Sequence, residues 1–336
     1  MRAWVLTDGK PGDEQPCLGV AEAVADHVEK RRVIPRRPWV WLAPWGPLDP
    51  RDAPDRFGSP IAPTGEGWPD LVVAAGRRVV PHLRRIRAAS GGRTITVFLR
   101  DARAGSGFAD IIWVPEHDRL RGPNVIVTPT SPHRINPVRL AAARAAPPLV
   151  PASVTGPRVA VLFGGDTRHA RFTEEDIDRL AAGLARLRAE GAVLLATASR
   201  RTPERLKLAV RAICHYLWDG TGDNPYISLL AQAEALVVTA DSTNMVGEAV
   251  ATGRPVMVFE PSGGRRKTRA FLDRLTALGA IRPFSGRLER YCYTPIDSTP
   301  EVAGAIEALA ATRHILRREA ERDGPIVARV TNGRMR

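Results

Sequence analysis

Residues 235–259 read ALVVTADSTNMVGEAVATGRPVMVF, and this stretch decides the fold. The apolar run 235–239 predicts a strand and Asp241-Ser242-Thr243-Asn244 is turn-prone. Residues 245–251 are rich in helix formers, and Gly253 closes that helix before a second apolar run, 255–259. In such a strand–loop–helix–strand unit the helix begins at the carboxyl edge of a parallel sheet, where free N–H groups and the positive dipole end attract phosphate. Ser242, Thr243 and Asn244 are small and polar enough to let a diphosphate approach. Helical side chains lean toward the N-terminus, so Glu248, about one turn inside, reaches back toward sugar hydroxyls beside that phosphate. The spacing fits a nucleoside diphosphate. A second reading stays open, in which Asp241 caps a core helix and Glu248 is an exposed helix former. No Glu or Gln follows Asp241 at the third position, so a capping box is not the explanation.

Upstream, the same rhythm recurs. Residues 158–163 predict a strand, Gly164-Gly165-Asp166-Thr167 a glycine loop, and 174–188 a helix with Ile177, Leu180, Leu184 and Leu187 inward. A strand over 192–197 leads into Ser199-Arg200-Arg201-Thr202. A lone Gly-Gly is explained equally well by a tight turn, but three polar loops on one predicted sheet edge point to a binding site. The candidates for a nucleotide sugar on this edge are Gly164, Gly165, Asp166, Thr167, Ser199, Arg200, Ser242, Thr243, Asn244 and Glu248. Lys267, in Gly263-Gly264-Arg265-Arg266-Lys267, reaches phosphate or the other domain, or else starts a solvated basic helix. A strand over 213–218 and a helix over 226–233 complete this half, and a final helix over 300–321 follows it.

The first half alternates in the same way. A strand over 2–7 is followed by Asp8-Gly9-Lys10-Pro11-Gly12-Asp13 and an amphipathic helix over 14–29. Lys10 is placed to neutralise a phosphate, and Asp8 or Asp13 to act as a base toward an acceptor hydroxyl; turn chemistry is the alternative. The loop is not a Walker loop. Strands over 71–75, 94–99, 110–114 and 125–128, with a helix over 77–89, imply a parallel sheet with right-handed crossovers. Glu116 and His117, in Pro115-Glu116-His117-Asp118, follow one strand directly. A His between two carboxylates is expected to have its pKa raised into the working range for acid/base chemistry, unless the segment is a surface turn. Trp39, Trp41, Trp45 and Trp68 lie in a proline-dense stretch and are expected to pack under a loop, with an acceptor groove as the alternative.

The 336 residues suffice for two domains with cores of their own. Residues 1–146 form the expected N-terminal α/β domain on the acceptor side. A proline-rich linker, 147–157, precedes a C-terminal α/β domain, 158–320, on the nucleotide-sugar side. No apolar run approaches a bilayer span and the N-terminus lacks a signal-peptide pattern, so a cytoplasmic protein is expected, with peripheral attachment at the inner membrane left open. Cys17, Cys214 and Cys292 are scattered without metal spacing and are expected in or near the core; no metal and no cofactor are expected. A net charge of +13 needs a partner. Nucleic acid is disfavoured, because no aromatic is interleaved with the basic runs at 30–37, 77–87 and 265–269. An anionic or lipid-linked acceptor at the membrane surface fits, as does an Arg-rich solvated face.

The pattern Asp241-Ser242, Glu248-Ala249 and Gly253-Arg254-Pro255-Val256 resembles the nucleotide-sugar signature of GT-B glycosyltransferases and of the related non-hydrolysing sugar epimerases. That resemblance implies the Ser and its neighbours on the diphosphate, the Glu on the ribose, and two doubly wound Rossmann-like α/β domains facing across a cleft, with the final helix crossing back toward the first domain. Leu6 through Glu14, Pro115 through Asp118 and the Asp241 signature also resemble the mitochondrial-fission family named for elongated mitochondria in plants. The expected function is therefore sugar transfer from a nucleoside-diphosphate sugar to a cell-envelope or lipid-linked acceptor without a metal. One alternative is a nucleoside-diphosphate-sugar epimerase, although the His-Gly-Asp pattern of those enzymes is replaced here by Ala74-Ala75-Gly76-Arg77-Arg78. The other is a non-catalytic adaptor in membrane fission or envelope assembly.

Overall fold

A computed structural model describes residues 1–167 and 170–322, with the side chains of Pro11 and of 315–322 left aside. The first half runs β1 (Arg2–Thr7), α1 (Pro11–Val24), β2 (His27–Arg32), α2 (Trp39–Leu42), β3 (Leu71–Ala75), α3 (Val80–Ala89), β4 (Ile95–Leu99), β5 (Ile111–Pro115) and β6 (Val125–Thr128). After α4 (Pro137–Ala145), the second half runs β7 (Arg158–Phe163), α5 (Glu174–Ala189), β8 (Val193–Ala198), α6 (Glu204–Arg211), β9 (Tyr216–Trp218), α7 (Tyr226–Gln232) and β10 (Ala235–Thr239). It continues through α8 (Thr243–Val250), β11 (Val256–Phe259), α9 (Arg266–Ala277) and β12 (Ile281–Pro283), and the chain is closed by α10 (Thr299–Arg322).

Each half is one six-stranded sheet, in the orders β2-β1-β3-β4-β5-β6 and β12-β11-β10-β7-β8-β9, with every pairing parallel. Parallel strands need helices on both faces, which is why β3, β4, β5 and β10 are buried at every residue and read as continuous apolar runs. Each sheet has a hydrophobic layer on each face, the doubly wound arrangement. The loops at the carboxyl edges of the two sheets meet. Arg100, after β4, bonds Asn244 in the first turn of α8 at 3.2 Å, and Asn244 bonds the Gly12 carbonyl in the first turn of α1 at 3.2 Å. The protein is thus two Rossmann-like halves facing across a cleft, the GT-B-like form.

Three local expectations are corrected. The helix expected over 14–29 ends at Val24, with Ala25 extended as its cap, and the chain re-enters the sheet as β2. β2 is an edge strand, HVEKRR, with no apolar alternation, so nothing in its composition marks it as a strand. Cys292 is exposed, on a surface segment without regular structure, while Cys17 is buried and Cys214 half-buried. Trp41 and Trp45 are 67% and 65% exposed rather than packed beneath a loop; only Trp68 lies against a buried ring, Trp4, at 6.1 Å.

Two helices cross between halves. α4 precedes the proline-rich stretch, yet its apolar residues Leu140 and Ala143 pack with Leu229 and Leu230 of α7 in the second core. The segment before α10 leaves the second half, where the Ile296 N–H bonds the Val250 carbonyl at 3.2 Å. It meets the stretch after β6, where Ser298 meets Thr130 at 2.7 Å and the Thr299 hydroxyl takes the His133 N–H at 3.0 Å, and α10 then lies on the first sheet. Val302 and Ile306, both 0% exposed, join Cys17, Val20 and Ala21 of α1 in the first core. Arg313 extends the attachment by an ion pair to Asp110 at 2.6 Å. No helix among the described residues is long and apolar enough to cross a membrane. Truncating a fully buried Ile leaves a cavity, so Ile306→Ala should lower stability by about 2–5 kcal/mol, read as a fall in the denaturant midpoint without change of slope.

Candidate functional site at the facing sheet edges

The second-half site is built on a single buried carboxylate. Asp241, whose side chain is 0% exposed, follows β10 and accepts the Gly165 N–H at 2.8 Å and the Thr239 hydroxyl at 2.7 Å. The Thr239 hydroxyl in turn accepts the Gly164 N–H at 2.8 Å. Burial pushes the Asp241 carboxyl up, and the Gly165 N–H and Thr239 hydroxyl oppose that push. The approach leaves no room for side chains: a Cβ on Gly164 would sit 2.0 Å from the Asp241 carboxylate, and one on Gly165 would sit 2.1 Å from the Arg201 backbone. Gly164-Gly165 is therefore required by close approach of three loops. Asp241 does not cap α8; Ser242 does, accepting the Met245 N–H at 3.4 Å.

Around this brace a cleft of about 640 Å³ is lined by Asp166, Thr167, Arg201, Asp241, Thr243 and Arg265, among others. The first turn of α8 opens onto it, carrying N–H groups that have no partner within the helix. Its far wall, the loop from Glu260 to Gly264, is anchored by Asp176 at the start of α5, which accepts the Ser262 N–H at 2.8 Å and hydroxyl at 3.0 Å. Arg201 enters with a guanidinium nitrogen 3.9 Å from Asp241. The sequence reading chose its neighbour Arg200 instead. Arg200 points to a second cleft, about 690 Å³, with Phe163, Lys207, Trp218, Tyr226 and Met245. Adjacent residues on an extended loop diverge, and sequence gives no means of saying which one faces the brace. Ser199 is engaged within the loop, its hydroxyl donating to the Gly164 carbonyl at 2.9 Å alongside Thr202.

Glu248 lies on α8, half-buried, and receives a short hydrogen bond from the Tyr226 hydroxyl. The packed surroundings push its carboxyl up to about 7, which the Tyr226 hydroxyl counteracts, while burial and the neighbouring Glu248 hold the Tyr226 hydroxyl well above its ordinary value. Tyr226 carried no signal in the sequence, because its partner is supplied by a different helix. Asn244 spans the halves through Arg100 and Gly12, as described above.

On the facing edge, Asp8, Lys10 and Asp13 line a cleft of about 410 Å³ with Gly76, Arg77, Arg78 and Arg100. Asp8 is sealed: its side chain is 4% exposed, and Lys10 holds one oxygen at 2.6 Å. Asp13 is 18% exposed, with Arg100 at 3.9 Å. Arg100, which the sequence reading did not single out, adopts φ +81°, a left-handed conformation rare for residues other than Gly. Gly76, at φ +95°, sits where a Cβ would meet Asp8 and Asp13 at 3.7 and 3.9 Å.

The Glu116–Asp118 segment goes elsewhere. Glu116 pairs with Arg274 at 2.7 Å, Asp118 pairs with Lys267, and the His117 ring meets Phe271 edge-on at 6.3 Å, all three partners lying on α9. Lys267 is thereby drawn to the other half. The expected rise of the His117 pKa is reversed: burial lowers it, Lys267 and Arg100 add to that, and Asp118 opposes them. Among the described residues no group of three or more His, Cys, Asp or Glu is arranged to hold a metal ion.

The family described as mitochondrial fission ELM1 matches residues 11–309, most of the chain. This chain belongs to that family. The ELM1-family protein is 26% identical over 276 residues to "Mitochondrial fission protein ELM1" of Arabidopsis thaliana, a match covering 73% of this chain and 65% of the plant protein. It is 30% identical over 160 residues to the uncharacterized protein RP120 of Rickettsia prowazekii (strain Madrid E), covering 44% and 45% of the two chains. It therefore spans less than two thirds of the length of these relatives. Solved structures of similar chain path include the UDP-GlcNAc 2-epimerase of Methanocaldococcus jannaschii in complex with UDP-GlcNAc and UDP, at TM-score 0.49 and 12% identity, covering 93% of this chain and 100% of that one. The spinosyn forosaminyltransferase SpnP aligns at TM-score 0.46 and 18% identity, covering 96% and 95%. MurG of Acinetobacter baumannii aligns at 0.45 and 13%, covering 96% and 94%.

The raised Glu248 pKa predicts a specific pH dependence. Folded Glu248 holds its proton up to about 7 while the unfolded residue releases it near 4.5, so between these values the folded state binds more protons. Its contribution to stability is present below 4.5 and lost as pH rises through 7. Denaturant midpoints measured across that window should fall less steeply in Glu248→Gln than in the wild type.

Proposed function

We propose that this protein binds a nucleoside-diphosphate sugar in its second half and transfers the sugar to an acceptor held by the first. The observation that carries the reading is the Asp241-braced cleft, onto which the first turn of α8, Arg201 and Arg265 open in front of the tightly packed Gly164-Gly165 loop. Backbone N–H groups and guanidinium charges at one point suit a diphosphate, and Glu248 further along α8 suits the ribose hydroxyls. The nucleoside would extend toward the neighbouring cleft with Tyr226 and Trp218.

In the transfer, the acceptor hydroxyl gives its proton to a carboxylate as its oxygen bonds the sugar carbon, and the bond to the diphosphate breaks with its electrons leaving on the diphosphate. Arg201, Arg265 and the α8 N–H groups would stabilise that departing charge. Of the two carboxylates on the facing edge, Asp13 is the accessible one, since Asp8 is covered by Lys10. His117 is occupied against Phe271.

The name of the plant relative supports a second reading, a membrane-fission adaptor that keeps the fold without turnover. Nucleotide binding separates the two. A nucleoside diphosphate or its sugar at a hundredfold excess over Kd should stabilise the wild type by about 2.7 kcal/mol, and Glu248→Ala should lose that gain. An absence of stabilisation by every nucleotide and nucleotide sugar would leave only the adaptor reading. Asp13→Asn should retain nucleotide affinity while losing transfer by about a hundredfold or more, measured as release of nucleoside diphosphate in the presence of acceptor.

A further inference from the structure

Large apolar side chains are not exposed at random in this protein. Of the eight exposed among the described residues, five fall within residues 34–57: Ile34 at 68%, Trp41 at 67%, Leu42 at 45%, Trp45 at 65% and Phe57 at 107%. Trp41, Leu42 and Trp45 sit on and just after α2, a single turn whose four residues are all unburied. The turn is held from below, where Arg84 of α3 donates to the Pro44 carbonyl at 2.9 Å, so its presentation is fixed by the fold.

The exposed charges around it are predominantly basic. The Arg37 guanidinium lies 5.1 Å from the Trp41 ring centre and that of Arg77 lies 5.5 Å from the Trp45 ring centre. Arg32, Arg36, Arg51 and Arg56 are exposed along the same stretch. Of the nearby acids, Asp49 is buried against Arg36 and Asp52 bonds His82, which leaves Asp55 as the exposed carboxylate of that stretch.

We propose that this face is a docking surface for an anionic membrane. Tryptophan rings partition to the boundary between headgroups and acyl chains, and each exposed arginine nearby adds attraction to anionic headgroups. The aliphatic member of the turn decides between a bilayer and a nucleic-acid strand. Leu42, on the same turn as Trp41, has no stacking partner on a base, whereas it enters the acyl boundary together with the rings. Charge complementarity within a chain of net charge +13 supplies the long-range attraction. The docking has a geometric consequence, because Val40, Ala43 and Arg77 also line the first-half cleft with Asp13 and Arg100. A protein seated on this face holds the mouth of that cleft at the membrane surface. The inference does not depend on sugar transfer and applies equally to the adaptor reading.

The test is sedimentation of the full chain with vesicles of phosphatidylcholine alone and of phosphatidylcholine containing phosphatidylglycerol, with tryptophan emission recorded on the same samples. The expected result is binding to the anionic vesicles with a blue shift, weakening as salt is raised. The double variant Trp41→Ser, Trp45→Ser should bind them about tenfold more weakly, since partition scales with buried apolar area. Leu208→Ser, an exposed position in the second half, should bind as the wild type does. The proposal is overturned if the wild type ignores anionic vesicles, if it binds neutral and anionic vesicles alike, or if the double variant binds unchanged. The wild-type emission shift needs no variant, so it decides even where a substitution perturbs folding.

Discussion

A carboxylate with no access to water holds the second half of this protein in working shape. Asp241 can remain there only because the Gly165 N–H and the Thr239 hydroxyl point at it, and they can point at it only because the two residues before Asp166 lack side chains. Removing either glycine's freedom would push the loops after β7 and β8 apart, and the cleft they enclose would lose its floor. A buried charge left without such partners costs several kcal/mol. The loop geometry and the charge therefore stand or fall together.

The two halves communicate through polar contacts rather than a shared core. Asn244 ties the first turn of α8 to Arg100 and Gly12, while α9 presents Lys267, Phe271 and Arg274 to the Glu116–Asp118 segment. Polar, partly exposed contacts of this kind are individually weak and sensitive to salt. The apolar attachments are α4, whose Leu140 and Ala143 are built into the second core, and α10, whose Val302 and Ile306 are built into the first. Two apolar helices carry the chain across, and ion pairs from α9 line the facing edges.

The basic character of the chain divides along the same lines. Some arginines are structural, such as Arg31 stacked 3.4 Å from the Trp4 ring and Arg313 paired with Asp110. Others line the clefts, among them Arg201 in the second half and Arg77, Arg78 and Arg100 in the first. A third group flanks the exposed tryptophans on the α2 face. One net charge thus serves packing, site electrostatics and surface chemistry, and composition alone cannot apportion it.

The sequence by itself determined the α/β rhythm, because strands covered on both faces must be continuously apolar and helices covered on one face must be periodic. β10, α8 and β11 show it directly, and β3 and β7 announce themselves in the same way. It also marked the polar loops at the strand ends, since Gly, Ser, Asp and Asn have few other uses between an apolar strand and a helix. Tertiary structure alone decided which side chains face which cleft. Edge strand β2 has no apolar pattern to betray it, and the choice of Arg201 over Arg200 depends on the turn of an extended loop. The direction of the His117 pKa shift was set by burial in the tertiary structure, where Phe271 of α9, about 150 residues away in sequence, meets the ring, and that burial outweighs the neighbouring Asp118. Local pattern records what a residue's own element needs; contacts between distant elements leave no periodicity to read.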